Sequence, residues 1–352
     1  MKIKEDNFFC RVVSSIAPIH KEPSYSSEMI SQALFFEKLE ILKDNQNINH
    51  SLFDLYSLLE SIDCWILVRM EDGYIGWIKT LYIKKCNEIN EKRIKAYSQS
   101  RYNHIKDDYS FSYIVKNMIQ PIITNYPNTM RLSDYSISYF KREFTFLSNF
   151  SMYKYDYRKS YLSFGTRVFI NIDADNIKEY QKYNIFPVVL PDFNHFGFIH
   201  CKHPDLIFKQ LPKSSIDSQK EHIKILSTNL VGVPYLWGGR SVFGYDCSGF
   251  VQSVFNTACN IKLKRDCCDM YNDLKQYVID INDTDLGDLL FFENKDGKID
   301  HVGIVIDKYM FIHCSGQVKI NSFIKNIDNY YDKIDNYNLI FVSTNSLFYN
   351  YE

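Results

Sequence analysis

The chain has 352 residues, 45% of them hydrophobic and 16% aromatic, and its 41 Lys and Arg nearly cancel its 42 Asp and Glu. That length and apolar content allow two or three domains with separate cores. The balanced charge, without a basic stripe or an Arg cluster interleaved with aromatics, argues against nucleic acid as a partner. No apolar run approaches a membrane span, and the opening MKIKEDNFFCRVVSS lacks the apolar stretch of a signal peptide. A cytoplasmic, reducing location is expected, unless an export signal has been trimmed away. The nine cysteines are scattered without a CxxC pair. They read neither as a disulfide scaffold nor as a zinc site.

Up to residue 212 the chain is rich in short alternating runs, and the 27 Tyr and 26 Phe of the whole sequence favour a largely β N-terminal half. A weak internal repeat organises it. One unit runs from APIHKEPSYSSEMISQALFFEKLEIL to DGYIGWIKTLYI, the other from QPIITNYPNTMRLSDYSISYFKREFTFL to NHFGFIHCKHPDLI. Each has proline in an opening strand, a polar loop, an alternating strand and a final Gly-aromatic-Ile strand. Helical-looking NHSLFDLYSLLESI is an insertion in the first unit, and the region around FSMYKYDYRKSYLSFGTR a long insertion in the second. The mixed-sign run KKCNEINEKRIKAY, residues 84 to 97, reads as a solvated helix or linker. Both units resemble bacterial SH3-like barrels, which implies one over 1–95 and a second, with linker and insertion, over 96–212.

The chemistry-bearing stretch is VPYLWGGRSVFGYDCSGFVQ, residues 233 to 252. From Cys247 onward Phe250, Val251, Val254, Phe255 and Ala258 recur at helical spacing, and the glycines before it mark a loop. Cys247 therefore falls in the first helical turn, where unpaired N–H groups and the positive dipole end favour thiolate over thiol. Downstream, DLLFF, HVGIVI and YMFIH read as short strands separated by the turn signal NKDG. His301 opens the second and His313 closes the third, so antiparallel pairing brings them together as base and orienter for Cys247.

In PYLWGG, DCSGFVQ, GDLLFF, DHVGIVI and FIHCSG, in that order over roughly residues 218 to 345, the chain resembles the NlpC family of papain-like cysteine endopeptidases that cut bacterial cell-wall peptides. The resemblance implies an α+β fold: a papain-like catalytic domain over 213–352, with helices packed on an antiparallel sheet, preceded by two small all-β SH3-like barrels. It implies Cys247 as nucleophile, His301 as general base and His313 as orienter. Tyr235 and the backbone beside Ser248 would support the oxyanion, and Asp246 would bind the substrate amine. Trp237 is either core packing or a wall of the cleft. Two positions depart from the family pattern: Leu286 stands where proline is usual before GD, and Cys314 follows the third histidine, adding a thiol that oxidation or a disulfide could claim.

Two such barrels before such a domain resemble one subgroup, the cytoplasmic γ-D-glutamyl-L-diamino acid endopeptidases of cell-wall peptide recycling. That likeness implies a murein peptide substrate, L-Ala-γ-D-Glu-diamino acid, no cofactor, Glu28 as a partner for the free ammonium and Tyr74 as part of the wall over the site. The alternatives are an exported endopeptidase on intact wall, a papain-like amidase or acyltransferase on another carbonyl substrate, and a silent binding module. Retention of Cys247, His301 and His313 together argues against the last.

Overall fold

The computed structural model of the protein describes residues 8–42, 63–86, 112–114, 119–123, 159–169, 185–189, 196–200 and 215–348. The chain divides into two compact bodies. One comprises Met1–Ala17, Leu34–Val68 and Ile78–Gln210, the other Pro18–Ala33, Arg69–Trp77 and Leu211–Glu352.

In the first body, strand Phe8–Val12 runs antiparallel to both Lys38–Ile41 and Ile83–Cys86. Buried Arg11 is satisfied there: its guanidinium donates to the Phe36 carbonyl at 2.9 Å and lies over the Phe36 ring. Further on, Ile119–Ile123 pairs with Lys159–Ser163 and with Phe196–His200, which pairs in turn with Ile185–Val189. Among the described residues of this body the regular structure is strand apart from the 3-10 turn Thr80–Tyr82, as the aromatic and β-branched composition leads one to expect. Two local readings change. Lys84–Cys86, the start of the mixed-sign run, belongs to a strand paired antiparallel with Phe9–Val12, its Cys86 and Ile83 buried and its Lys84 and Lys85 exposed. Lys159–Ser163, read as insertion, is a paired strand, and the adjoining Leu162 and Phe164 are fully buried. The helical-looking insertion at 49–62 lies outside the described residues.

The second body is a helical layer on an antiparallel sheet. Helix α1 (Ile216–Thr228) starts at Ser215, whose hydroxyl accepts the Ser218 N–H. Helix α2 (Cys247–Cys259) carries the expected apolar stripe, with Phe250, Val251, Val254, Phe255 and Ala258 all buried. It ends at Asn260 in the left-handed region (φ 56°), which lets the cap N–H return to the Asn256 carbonyl. Helix α3 spans Cys267–Leu274.

The sheet strands are β1 (Val278–Ile279), β2 (Leu289–Glu293), β3 (Ile299–Asp307), β4 (Met310–Ser315), β5 (Gln317–Ser322) and β6 (Asn338–Val342), in spatial order β1-β6-β2-β3-β4-β5. Each neighbouring pair is antiparallel. Because side chains alternate across a strand, Leu290 and Phe292 join Val305, Phe311, Phe323 and Phe341 in one cluster, while Leu289 and Phe291 are equally buried on the opposite face. A sheet covered on both sides is a rigid platform, and each fully buried large apolar side chain stabilises it by about 1.5–3 kcal/mol. Helices α2 and α3 both contact β3, and α2 also contacts β4. This brings a helix start and two strand histidines into one place.

Candidate active site

Helix α2 begins at Cys247 because Asp246 caps it. In extended backbone (φ −88°, ψ 179°), Asp246 accepts the Gly249 N–H at 2.7 Å, leaving Cys247 in the first turn as expected. The loop before it presses on the helix: a Cβ at Gly249 would stand 2.1 Å from the Gly239 carbonyl oxygen, and one at Gly239 would stand 2.2 Å from that of Gly244. Only hydrogen fits at either position. The glycines of WGG and CSG are therefore a packing requirement, and the close approach fixes the sulfur.

Cys247 is 7% exposed, yet its pKa lies well below the ordinary thiol value. The first cause is a hydrogen bond from the Cys267 thiol, which burial opposes and which a hydrogen bond and the positive charge of His301 reinforce. Cys267, at the start of α3, is pushed strongly upward by the same contact and stays neutral, its thiol also 3.5 Å from the Ile299 carbonyl.

The His301 ring is oriented by a chain of hydrogen bonds that fixes its tautomer. His301 Nε2 lies 2.7 Å from His313 Nδ1, and His313 Nε2 lies 3.0 Å from Asn321 Oδ1. The Asn321 amide nitrogen donates to the Asn329 carbonyl at 2.8 Å, so its oxygen faces His313 and must accept. His313 thus carries its proton on Nε2, its Nδ1 accepts from His301 Nε2, and His301 Nδ1 is left to exchange a proton with Cys247. Burial first, and the charge of His301 second, push His313 down to about 3, so it stays neutral, accepting from His301 while it donates to Asn321. Neither histidine sits at a strand end: His301 is the third residue of β3 and His313 the fourth of β4. The pairing with β2 extends β3 back to Ile299, with a bulge at Phe292/Glu293.

Asp246 is occupied. One carboxylate oxygen accepts from the Gly249 N–H, Arg265 Nη1 (3.0 Å) and the Ser248 hydroxyl (3.3 Å), the other from the Gly238 N–H (2.9 Å) and Arg265 Nη2 (2.5 Å). Arg265 also donates to Ser248 Oγ and to Ser31 Oγ. With five donors already on its two oxygens, Asp246 serves as helix cap and counter-ion and has little capacity left for a substrate ammonium. Ser248 is bound into the same network.

The adjacent carboxylate differs. Asp266, half-buried, accepts the Tyr74 hydroxyl, at 3.2 and 3.1 Å to its two oxygens. Burial raises its pKa, against the lowering pull of Tyr74 and Arg265, and burial beside Asp266 raises that of Tyr74. Tyr74 therefore stands next to the site. Glu28 is joined elsewhere: it accepts from Trp237 Nε1 at 2.7 Å and lies 3.6 Å from Lys21. Trp237 is 61% exposed, which rules out the core-packing alternative. Tyr235 hangs beside Cys247, its N–H bonded to the Gly316 carbonyl at 2.8 Å, and burial and the Cys247 charge raise its phenol pKa. Cys314 donates to the Tyr245 carbonyl at 3.1 Å and burial pushes it up to about 12. It is a buried neutral thiol. All eight described cysteines are free.

Arg265, Asp266, Cys267 and Asn321 were not singled out from the sequence. The first three share the run KRDCCDMY, where an Arg-Asp pair ahead of two adjacent cysteines was the available signal; Asn321, in QVKINS, offered none. Among the described residues no group of three or more His, Cys, Asp and Glu is placed to hold a metal ion, and no helix is long and apolar enough to cross a membrane.

The segment that carries these residues is similar to known proteins. Residues 232–336 match the NlpC/P60 family. The NlpC/P60 segment contains all of the residues just described except those from Ser31, Tyr74, Glu28 and Lys21. The chain is 35% identical over 125 residues to the gamma-D-glutamyl-L-lysine dipeptidyl-peptidase of Bacillus subtilis (strain 168), covering 35% of this chain and 41% of that enzyme. It is 39% identical over 84 residues to the probable endopeptidase YafL of Escherichia coli (strain K12), 23% of this chain and 34% of that protein. The chain thus aligns with less than half the length of either relative. In three dimensions it resembles the crystal structure of an NlpC/P60 family protein from Bacillus cereus ATCC 10987, with a TM-score of 0.61 at 16% identity over 94% of this chain and 98% of that one. That likeness is one of fold: a papain-like domain of helices on an antiparallel sheet, with an all-β region before it.

Proposed function

We propose that this protein is a cysteine endopeptidase that hydrolyses the γ-D-glutamyl-diamino acid bond of murein peptides carrying a free N-terminal L-alanine. The observation that carries the reading is the line Cys247, His301, His313, Asn321, with a depressed thiol pKa at one end and a tautomer-fixing amide at the other. The named activity of the Bacillus subtilis relative supports the choice of bond.

In this mechanism the Cys247 thiolate attacks the γ-carbonyl carbon of D-glutamate. The oxyanion is stabilised by N–H groups at the start of α2 and by the Tyr235 hydroxyl, whose raised pKa keeps it a donor. His301 passes its Nδ1 proton to the leaving amine, and water, deprotonated by the same ring, then hydrolyses the thioester. The chemistry asks for no cofactor. The substrate ammonium is assigned to Asp266 with Tyr74 beside it, since Asp246 is saturated and a buried ammonium without an anionic partner is costly. Glu28 and Trp237 belong to the outer wall of the same body. The preceding β region is proposed to be the two SH3-like barrels, with the domain limits given above, and the setting to be cytoplasmic recycling of wall peptides, consistent with eight unpaired cysteines.

The test is mass spectrometry of L-Ala-γ-D-Glu-diamino acid and its N-acetylated form after incubation with the protein. The reading requires L-Ala-D-Glu from the free peptide, much less from the acetylated one, and none with Cys247→Ala. Equal cleavage of both peptides defeats the free-amine requirement, and turnover by Cys247→Ala defeats the nucleophile.

A further inference from the structure

Two thiols meet where two helices begin. Cys247 is the first residue of α2 and Cys267 the first of α3, and both helices contact β3. A buried ion pair pins the two starts to each other: Asp246, which caps α2, accepts from both Nη1 and Nη2 of Arg265, two positions ahead of Cys267. Cys267 Sγ also lies 3.5 Å from the carbonyl of Ile299, two positions ahead of His301 on β3. The thiol of Cys267 therefore stands beside the sulfur of Cys247, and peptide hydrolysis leaves it unaltered.

The other thiols nearby are placed differently. Cys314 follows His313 in the chain, yet it is fully buried and donates to the Tyr245 carbonyl at 3.1 Å. Cys268 is exposed, its Sγ 3.9 Å from the carboxylate of Asp269. Cys267, half-buried and free, is the partner that the fold sets against Cys247.

An ionised sulfur beside a second thiol can be oxidised and rescued. Sulfenic acid is captured as a disulfide before it goes on to sulfinic acid, which ordinary thiols do not reduce. The lowered pKa of Cys247 supplies the thiolate that a peroxide attacks. Cys267 is held protonated first by its contact with the Cys247 sulfur, then by burial, then by the Cys247 charge. Oxidation of Cys247 to a neutral sulfenic acid removes the charge behind the first and third of these, so Cys267 becomes the better nucleophile at the moment it is needed.

We infer that Cys247 and Cys267 form a reversible redox pair: hydrogen peroxide or another small hydroperoxide oxidises Cys247 to the sulfenic acid, and Cys267 condenses with it to a disulfide that shuts the site until a thiol reductant reopens it. In the first step the Cys247 sulfur attacks one peroxide oxygen, the O–O bond breaks, and the departing hydroxide leaves as water with a proton from the His301 ring. In the second the Cys267 sulfur attacks the Cys247 sulfur, the S–O bond breaks, and the departing hydroxide takes the Cys267 proton to give a second water. Two thiols of the reductant then return both cysteines to their starting form and are themselves joined as a disulfide. Closure of the site rests on the function proposed above, because it needs Cys247 as nucleophile; formation of the disulfide does not.

The test treats the full chain with a small excess of hydrogen peroxide and reads it by intact mass and, after blocking with iodoacetamide, by peptide mass spectrometry. The expected result is the loss of two hydrogens, a cross-linked peptide pair joining Cys247 to Cys267, and return of both the mass and the cleavage of L-Ala-γ-D-Glu-diamino acid after dithiothreitol. In Cys267→Ser the same treatment should give a Cys247 sulfenic acid that dimedone traps, then a sulfinic acid heavier by two oxygens whose activity dithiothreitol does not restore. Cys268→Ser and Cys314→Ser should keep the cross-link. A disulfide from Cys247 to Cys314 or Cys268, sulfinic acid without a disulfide in the native protein, or recovery in Cys267→Ser equal to the native overturns the pair. The cross-link is read on the native protein, so it stands or falls whether or not Cys267→Ser folds. If it forms while Cys247→Ala still cleaves the peptide, the endopeptidase reading fails and the redox pair stands. If the native protein cleaves the peptide and peroxide yields no cross-link, the redox pair fails alone.

Discussion

The thiol of Cys267 stands beside the sulfur of Cys247, and together with the neighbouring imidazole of His301 it holds the Cys247 pKa well below the ordinary thiol value. A thiol is a weak donor to another neutral thiol but a useful one to a thiolate, so the bond stabilises the charged form selectively. Removing the donor in Cys267→Ala is expected to raise the Cys247 pKa and move the acid limb of its alkylation by iodoacetamide to higher pH. Cys267→Ser, which supplies a hydroxyl donor, should move it back. Because alkylation needs no substrate, a limb that stays in place in Cys267→Ala would exclude the role outright.

His313 gives a prediction about both rate and stability. It is fully buried and pushed down to about 3, whereas in the unfolded chain it titrates near 6.5. Between those values the unfolded chain binds more protons than the folded one, so stability falls as pH drops below about 6.5, and the loss grows until about pH 3. His313→Gln should flatten the dependence of urea-unfolding free energy on pH between 6.5 and 4. It also keeps an acceptor for His301 Nε2, so it should retain more activity than His313→Ala, whose loss is expected to be on the order of 10²-fold or more. An unaltered stability slope in the glutamine variant would mean that His313 is not held neutral in the folded chain.

The places of Cys247, His301 and His313 were legible because each belongs to a local pattern: a capped helix start after a glycine loop, and alternating strands whose antiparallel pairing follows from a short turn. The residues that tune them were not. Arg265 reaches Asp246 across 19 positions, and Tyr74 reaches Asp266 across 192, separations over which no periodicity carries information. The same holds for Pro18–Ala33 and Arg69–Trp77, which join the body that holds Cys247, His301 and His313 although they lie in the expected first barrel. Sequence motif likewise suggested Asp246 as an amine binder, because its place beside the cysteine is visible while the five donors that saturate it are not.

The Asp246–Arg265 pair is buried, with side-chain exposures of 10% and 1%. Burying two charges gains little over an apolar pair, but removing one partner leaves the other desolvated and uncompensated. Arg265→Met should therefore destabilise the second body by about 3–5 kcal/mol, and Arg265→Met with Asp246→Asn should recover part of that loss, since the asparagine still caps α2 without carrying charge. Equilibrium urea unfolding, followed through a probe in the second body, reads the difference. A double variant no more stable than the single one would mean that the network acts through geometry and not through charge.

The amine site proposed at Asp266 and Tyr74 can be tested separately from the chemistry. If the half-buried Asp266 carboxylate receives the ammonium of the N-terminal alanine, Asp266→Asn should raise KM for the free peptide by roughly tenfold or more, with a smaller change in kcat, because the charge contact exists before and during reaction alike. Tyr74→Phe, which removes the hydroxyl that holds both Asp266 oxygens, should produce a weaker shift in the same direction. The N-acetylated peptide provides the contrast: lacking the ammonium, its slow cleavage should respond little to Asp266→Asn, so the native preference for the free amine collapses in that variant. A variant that keeps the full preference would return the amine site to other residues of the wall, Glu28 foremost, and would leave the cysteine–histidine chemistry untouched.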